Sequence, residues 1–186
     1  RNIHLILDES FVDFSEKSVE NTLLKNEVLE TYPHLTVIKS ISKSYGVPGL
    51  RLGIAASSDK EIISYLRKNM AIWNINSFAE FYLQIYSKYN NDYQNACKKF
   101  IAERQRFFEV LQQVDFLRVI PSQANYFLCE VLPPFTSEKL CAALLEKDIL
   151  IKNCATKAGF NGRQYIRIAI RDQRDNDRLT EALSCF

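Results

Sequence analysis

The sequence predicts an α/β fold in its first half and a smaller α+β unit in its second half. Up to about residue 90, short apolar runs that suit buried strands alternate with segments of helical periodicity. After residue 115 the strands follow one another more closely, and residues 165–171 alternate strictly along a pleat. We therefore expect two domains, residues 1–90 and 91–186.

In the first half, each element follows from a local pattern. The run Ile3–Leu7 ends in Asp8, which is typical of a strand buried on both faces with an acid at its carboxyl end. Ser15 and Ser18 are candidate caps of one helix that continues to about Thr31. The later elements of this half are a strand at 35–38, a structured loop at 40–53, a strand at 52–56, and helices at 60–69 and 77–114, the last with a break near 90–91.

In the second half, the final strand is the clearest element. Residues 165–171 place Ile166, Ile168 and Ile170 on one face, with Arg167 and Arg171 on the other. The remaining elements are strands at 117–120, 125–131 and 149–152, a helix at 137–147 between the last two, and a closing helix at 173–183.

Composition excludes several classes of protein. A hydrophobic content of 47% argues against disorder, and a net charge of +2 gives no electrostatic support for a nucleic-acid partner. No apolar run approaches the roughly 18 residues of a transmembrane helix. The five cysteines are widely spaced and there are only two histidines, so we expect no metal site and a reducing, cytoplasmic compartment. The chain opens inside an apolar strand without Met, which suggests a piece of a longer protein.

The glycines are unevenly distributed, since three of the five lie within residues 46–53. Glycine lets a backbone turn tightly and approach a ligand. Ser40 and Ser42 precede this stretch and Arg51 lies inside it, and hydroxyls with an Arg fork suit a phosphate dianion. Lys43 lies among them, and a neutral amine can attack a carbonyl carbon. An ordinary solvated basic turn is the alternative reading of the same spacing.

Asp8 gives a second, independent clue, because open α/β sheets bind ligands at the carboxyl ends of their strands. A surface acid or a helix cap is the alternative. Taken together, ILDESFVDF and SISKSYGVPGLRLG resemble the pyridoxal-phosphate (PLP) enzymes of the aspartate-aminotransferase fold. The closest branches are histidinol-phosphate aminotransferase and threonine-phosphate decarboxylase. The resemblance implies the carboxyl-terminal part of that fold: a mixed-sheet remnant of the PLP-binding large domain in residues 1–90 and the small α+β domain in 91–186.

The resemblance also implies how PLP is held. Lys43 occupies the position of the lysine that carries the cofactor as an internal aldimine. Ser40, Ser42 and Arg51 occupy the positions that bind the cofactor phosphate. Asp8 occupies that of the acid that pairs with the pyridine nitrogen.

Three further residues fall at substrate-binding positions. Arg167, in YIRIAIR, matches the clamp for the substrate carboxylate, and Asn125 and Asn76 lie in the similar stretches PSQANYFLCEV and WNIN. Arg171 shares the face of Arg167, so a shared role stays open, as does a simple cross-strand ion pair. Phe11 departs from the aminotransferase pattern, in which a tyrosine donates to the phenolic oxygen of the cofactor, and is nearer the decarboxylase pattern.

The resemblance makes a PLP-dependent aminotransferase the first expected function. A threonine-phosphate decarboxylase-like enzyme is the alternative, and a non-catalytic binding or assembly module is a third hypothesis of another class. The expected partners are a small amino-acid substrate and, in the intact enzyme, a second copy in a homodimer, with neither nucleic acid nor membrane. The family's earlier half, with its phosphate loop and ring-stacking aromatic, does not precede Arg1, so we expect this half alone to be inactive.

Overall fold

A computed structural model describes residues 3–186 of the chain. These form two compact units, one ending at Cys97 and the other starting at Lys98. The two units therefore divide inside helix α5 (Asn90–Leu111), whereas the sequence placed the boundary at the first residues of that helix.

A mixed three-stranded sheet organises the first unit. It is formed by β1 (Leu5–Asp8), β2 (Leu35–Ser40) and β3 (Gly53–Ala56), in that order. β1 runs parallel to β2, with Asp8 opposite Ile38, and β3 runs antiparallel to β2, with Gly53 opposite Ser40. Asp8 and Ser40 therefore both lie at the carboxyl ends of neighbouring parallel strands.

β1 is more exposed than the sequence suggested. It was expected to be buried on both faces, but Leu5 and Ile6 are 56% and 66% exposed. The reason is that, within residues 3–186, Leu5 and Ile6 belong to no apolar cluster and β1 has a hydrogen-bonded neighbour along one edge only. The buried residues of this sheet lie on β2 instead, where Leu35 and Val37 pack against Leu29.

The first unit also contains several helical regions. They are α1 (Ser18–Asn21), α2 (Asn26–Thr31), α3 (Lys60–Asn69), α4 (Ser77–Ile85) and the start of α5, with 3₁₀ turns at Val12–Phe14, Pro48–Leu50 and Tyr86–Tyr89. The last of these turns separates α4 from α5, close to the predicted break.

The single helix predicted up to Thr31 is wrong, because α1 and α2 are separated at residues 22–25. The buried carboxylate of Glu9 accepts hydrogen bonds from Leu23 N at 2.6 Å and from Thr22 Oγ1 at 2.7 Å. Thr22 is correspondingly extended, with φ −69° and ψ 135°. A backbone N–H used in this way is not available to a helix. The predicted serine caps are also wrong, since the N-cap of α1 is Lys17.

The second unit is built on an antiparallel sheet in the order β4-β5-β7-β6. Its elements are β4 (Leu117–Ile120), β5 (Tyr126–Val131), α6 (Ser137–Leu145), β6 (Lys152–Asn153), β7 (Tyr165–Ala169) and α7 (Gln173–Leu183). One continuous core includes Phe107, Phe127 and Leu183, and the predicted isoleucine face of β7 is buried in it.

Two predicted boundaries in this part of the chain are wrong. α5 ends at Leu111 rather than 114, because Gln113 and Val114 form the turn into β4. The strand expected at 149–152 is only Lys152–Asn153, because Ile149 N bonds to Leu144 O at 2.9 Å and completes the turn after α6. Across residues 3–186, no helix combines the length and apolar content needed to span a membrane.

Candidate active site

A cleft of about 560 Å³ opens at the carboxyl ends of β1 and β2. The polar groups on its wall come from both strand ends and from the loop that joins β2 to β3. They belong to Asp8, Ser10, Lys39, Ser40, Ser42, Lys43 and Arg51. All five residues that the sequence assigned to the cofactor therefore lie on one cleft.

A short hydrogen-bonded chain connects the two strand ends. The Ser10 backbone N–H donates to Asp8 Oδ1 at 2.9 Å, and its hydroxyl donates to the same oxygen at 2.5 Å. The Ser40 backbone N–H donates to Ser10 Oγ at 2.9 Å. Because its only described hydrogen bonds engage Oδ1, Asp8 keeps Oδ2 for another donor.

This chain also fixes the charge of Asp8. The two hydrogen bonds from Ser10 hold the pKa of the Asp8 carboxyl below its ordinary value, partial desolvation opposes them, and the positive charge of Lys43 adds a smaller lowering effect. Asp8 is therefore a carboxylate at neutral pH.

The loop after β2 presents the groups suited to a phosphate. The hydroxyls of Ser40 and Ser42 lie 2.6 Å apart. Arg51 has a left-handed backbone with φ 56°, and its Nη1 donates to Pro48 O at 3.0 Å. Gly46 has φ 66°, a conformation that favours glycine, so this part of the glycine cluster has a backbone reason.

Lys43 is exposed on this loop. Its Nζ is 4.1 Å from the centre of the Phe11 ring, which is a cation–π contact. Phe11, at the position where the resemblance leads us to expect a tyrosine, therefore contacts the lysine directly. Phe11 presents a ring face at this point and no hydroxyl.

These groups fit PLP. A carboxylate suits the protonated pyridine nitrogen, two hydroxyls and a guanidinium suit the phosphate, and a primary amine suits the aldehyde. All of them line the same cleft. No cluster of His, Cys, Asp and Glu that could hold a metal ion occurs among residues 3–186.

The second unit presents a separate group of cations. Arg167 on β7 is exposed, and its guanidinium lies 5.2 Å from the centre of the Tyr126 ring. Lys152 on β6 is its direct cross-strand partner. Like charges in this position repel each other. In the described part of the chain neither is paired with a carboxylate, so an anion bound here would relieve the repulsion.

The other predicted substrate residues have structural contacts. Asn76 is the N-cap of α4, where its Oδ1 accepts from Ala79 N at 2.9 Å and its Nδ2 donates to Leu50 O at 3.1 Å. The Asn125 carbonyl accepts from Ile170 N at 3.0 Å. Arg171 forms an ion pair with Asp175, and so uses its charge within its own chain segment.

Sequence reasoning missed Ser10 and Lys152. Ser10 carried a usable signal, because an aspartate carboxylate commonly accepts a hydrogen bond from the backbone N–H two residues further on. Lys152 carried none, because its position opposite Arg167 depends on the register of β6 on β7.

Comparison with known proteins gives one consistent family. The sequence profile described as aminotransferase class I and II matches residues 1–183. The chain is 35% identical, over 98% of its length, to the threonine-phosphate decarboxylase of Salmonella typhimurium and 34% identical, over 97%, to the L-serine phosphate decarboxylase of Campylobacter jejuni. It covers 48% and 47% of those two proteins, so the chain spans about half the length of these curated relatives.

The fold agrees with solved structures of the same kind. The crystal structure of the histidinol-phosphate aminotransferase from Clostridium acetobutylicum matches 97% of this chain with a TM-score of 0.87 and 30% sequence identity. The match covers 53% of that structure.

Proposed function

Because the chain belongs to the class I and II aminotransferase family, whose members are PLP-dependent enzymes, we propose that it carries the PLP lysine and the substrate clamp of an enzyme acting on a phosphorylated amino acid. The observation that carries this proposal is the convergence of Lys43, Asp8 and Arg51 on one cleft. In this proposal, the first unit is part of the PLP-binding domain and the second is the small domain.

The residues of the cleft have separable tasks. Lys43 holds the cofactor covalently and afterwards moves a proton at the substrate Cα through its Nζ. Asp8, kept ionised by Ser10, holds the proton on the ring nitrogen. Ser40, Ser42 and Arg51 bind the phosphate. When bound, PLP supplies an electron-accepting ring that stabilises negative charge at Cα.

Arg167 and Lys152 support a substrate with two acidic groups. A single carboxylate needs one guanidinium fork, whereas two adjacent cations favour a ligand of higher negative charge. The relatives' names include L-serine phosphate and threonine phosphate, each of which has a carboxylate and a phosphate. We therefore place phosphorylated amino acids first as the substrate class.

For the reaction, we place decarboxylation first. Phe11 leaves no phenol beside Lys43 Nζ, and the two curated relatives described above are decarboxylases. In this reaction, the bond from Cα to the carboxylate breaks, carbon dioxide leaves and Cα takes up a proton. Transamination, the first expectation from the sequence, is the second candidate, and the likeness to histidinol-phosphate aminotransferase favours it.

Borohydride labelling tests the lysine assignment. The protein is mixed with PLP, reduced with borohydride and digested, and the labelled peptide is identified by mass spectrometry. We expect the label on Lys43 and its loss in Lys43→Ala. Lys39→Ala is no suitable control because Lys39 is ion-paired, so exposed Lys60→Ala is used instead and should label as the wild type does. Label spread evenly over surface lysines would contradict the proposal.

Product analysis decides between the two reactions. Phosphoserine and phosphothreonine are supplied with and without a 2-oxo acid to the protein loaded with PLP, together with the remainder of the enzyme where one is encoded. Carbon dioxide released without the 2-oxo acid supports decarboxylation. A new amino acid formed only with the 2-oxo acid supports transamination. Turnover of neither would favour the binding-module hypothesis.

We also propose that the whole enzyme is a homodimer, as the resemblance implies. The segment that precedes and opens α4 exposes large apolar side chains, with Ile72 94%, Trp73 91% and Phe78 79% exposed. Exposed apolar surface of this kind favours association. Sedimentation velocity over a range of concentrations tests this, and Phe78→Glu should shift the distribution towards monomer.

A further inference from the structure

A second carboxylate, Asp13, lies beside the loop that carries Lys43. It belongs to the 3₁₀ turn Val12–Phe14, and its side chain is only 15% exposed. Its Oδ1 accepts from Lys39 Nζ at 2.5 Å, and its Oδ2 accepts from Ser44 Oγ at 2.7 Å. Both oxygens are therefore occupied by charge-assisted hydrogen bonds, which are stronger than neutral ones.

The two donors flank the segment that forms the candidate site. Lys39 directly precedes Ser40, and Ser44 directly follows Lys43. Lys39 is among the residues that line the cleft, but its Nζ is engaged by Asp13 and alternation along β2 directs its side chain to the face opposite Ser40. Neither Asp13 nor Ser44 lines the cleft. Asp13 therefore holds the chain just before Ser40 and just after Lys43, and it does not itself contact a ligand in the cleft.

The backbone alone holds this turn weakly. Its hydrogen bonds are Tyr45 N to Ile41 O and Gly46 N to Lys43 O, both at 3.3 Å. These are longer than the usual range of about 2.7–3.2 Å for N–H···O bonds. The 2.7 Å bond from Ser44 to Asp13 is the shorter and stronger restraint on the residue next to Lys43.

We propose that Asp13 is a positioning residue that fixes the direction of Lys43 through the hydroxyl of Ser44. The role rests on the proposed function, since it is Lys43 that would take the cofactor. The ion pair with Lys39 holds the Asp13 carboxylate in place, and the carboxylate holds Ser44. Lys43 then presents its Nζ to the cleft from a turn that does not rearrange.

The substitution Ser44→Ala separates this role from folding. It removes the link to Asp13 but leaves the Asp13–Lys39 ion pair. Ser58→Ala is the matched control, because the Ser58 hydroxyl donates to Leu29 O at 2.6 Å in the same unit and away from the cleft. Ser44→Thr restores a hydroxyl and should restore the wild-type behaviour.

Two readouts are measured on the full chain. The first is the rate at which PLP is captured at Lys43, measured by quenching samples with borohydride. We expect this rate to fall about tenfold in Ser44→Ala, which corresponds to the loss of one hydrogen bond to a charged group. The second needs no cofactor: hydrogen exchange at the Tyr45 and Gly46 amides should accelerate in Ser44→Ala. Ser58→Ala should change neither, and urea unfolding should show a similar loss of stability for both alanine variants.

The possible failures are distinct. If the wild type takes no label at Lys43, the proposed function fails, and exchange at Tyr45 and Gly46 still tests the positioning role. If the wild type is labelled and Ser44→Ala is labelled at the same rate, the positioning role is overturned. Unchanged exchange in Ser44→Ala would overturn it as well.

Discussion

Ser10 shows how a residue that need not touch a ligand can set the chemistry of one that does. Its hydroxyl lies between the Asp8 carboxylate and the Ser40 backbone, so it joins the end proposed for the ring nitrogen to the end proposed for the phosphate. It is 4% exposed, and no other described group donates to Asp8.

Replacing Ser10 with alanine should raise the pKa of Asp8 towards its ordinary value. Hydrogen bonding to the carboxylate lowers this pKa in the folded state, so the associated stability is present above the unfolded pKa and is lost as pH falls through the folded pKa. The difference in unfolding free energy between wild type and Ser10→Ala, about 1 kcal/mol or less at this exposed group, should therefore shrink on acidification.

The titration can be followed by the NMR shift of the Asp8 carboxyl carbon. Ser15→Ala is the control, because the Ser15 hydroxyl donates to Val12 O rather than to a carboxylate. An Asp8 pKa that is unchanged in Ser10→Ala would refute this account.

Arg51 allows a separation of stability from binding. Its left-handed backbone is strained by roughly 1 kcal/mol for a residue with a side chain, and glycine would relieve that strain. We expect Arg51→Gly to keep the stability of the chain but to weaken PLP binding at least about tenfold, through loss of a charge-assisted bond. Asp148→Gly is the matched control, since Asp148 has φ 57° in the second unit.

The comparison uses urea unfolding for stability and absorbance titration for PLP affinity. Asp148→Gly should likewise keep the stability of the chain, and it should leave the affinity for PLP unchanged. Equal affinities for wild type and Arg51→Gly would contradict the assignment of Arg51 to the phosphate.

At the scale of elements, local sequence predicted those structures whose signals are local. α3 begins where Asp59 caps it, accepting from Glu61 N and Ile62 N, and the alternation of β7 buries Ile166 and Ile168. The separation of α1 from α2 could not be predicted, because its cause is the Glu9 carboxylate fourteen residues before Leu23. Short-range patterns contain no information about such a contact.

Asn76 gives an element-scale prediction. Asn76→Ala should destabilise the chain by about 1 kcal/mol, because α4 loses its N-cap, whereas Asn76→Asp keeps a carboxyl oxygen for Ala79 N and should lose less. Urea unfolding of the two variants measures the difference. Equal losses would mean that the bond to Leu50 O, which both variants lack, matters more than the cap.

Over the whole molecule, the two units differ in the extent of their cores. The second has one continuous cluster that includes Phe107, Phe127 and Leu183, whereas the first has two small ones centred on Val37 and Leu52. The sequence predicted the fold class. The five residues that it assigned to the cofactor line one cleft, because their motifs follow strand ends. It could not predict that β1 would be exposed or that Lys152 would face Arg167, since both depend on which strands become neighbours.

Hydrogen exchange should report the difference between the cores of the two units. β5 and β7 are each flanked by strands on both sides, so their amides should exchange slowest, whereas the outer amides of edge strands such as β1 should exchange faster. Mass spectrometry of peptic fragments measures both in one sample. Exchange as slow in β1 as in β5 would contradict the expected order.

The exposed position of Trp73 has an optical consequence. It is the only tryptophan in the chain, and 91% of it is accessible to solvent in the folded protein. Its emission will therefore change little when the chain unfolds, and tryptophan fluorescence will be a poor monitor of denaturation. A partner that covers the apolar segment before α4 will instead shift that emission to shorter wavelength. The emission of this single tryptophan will thus report association rather than folding.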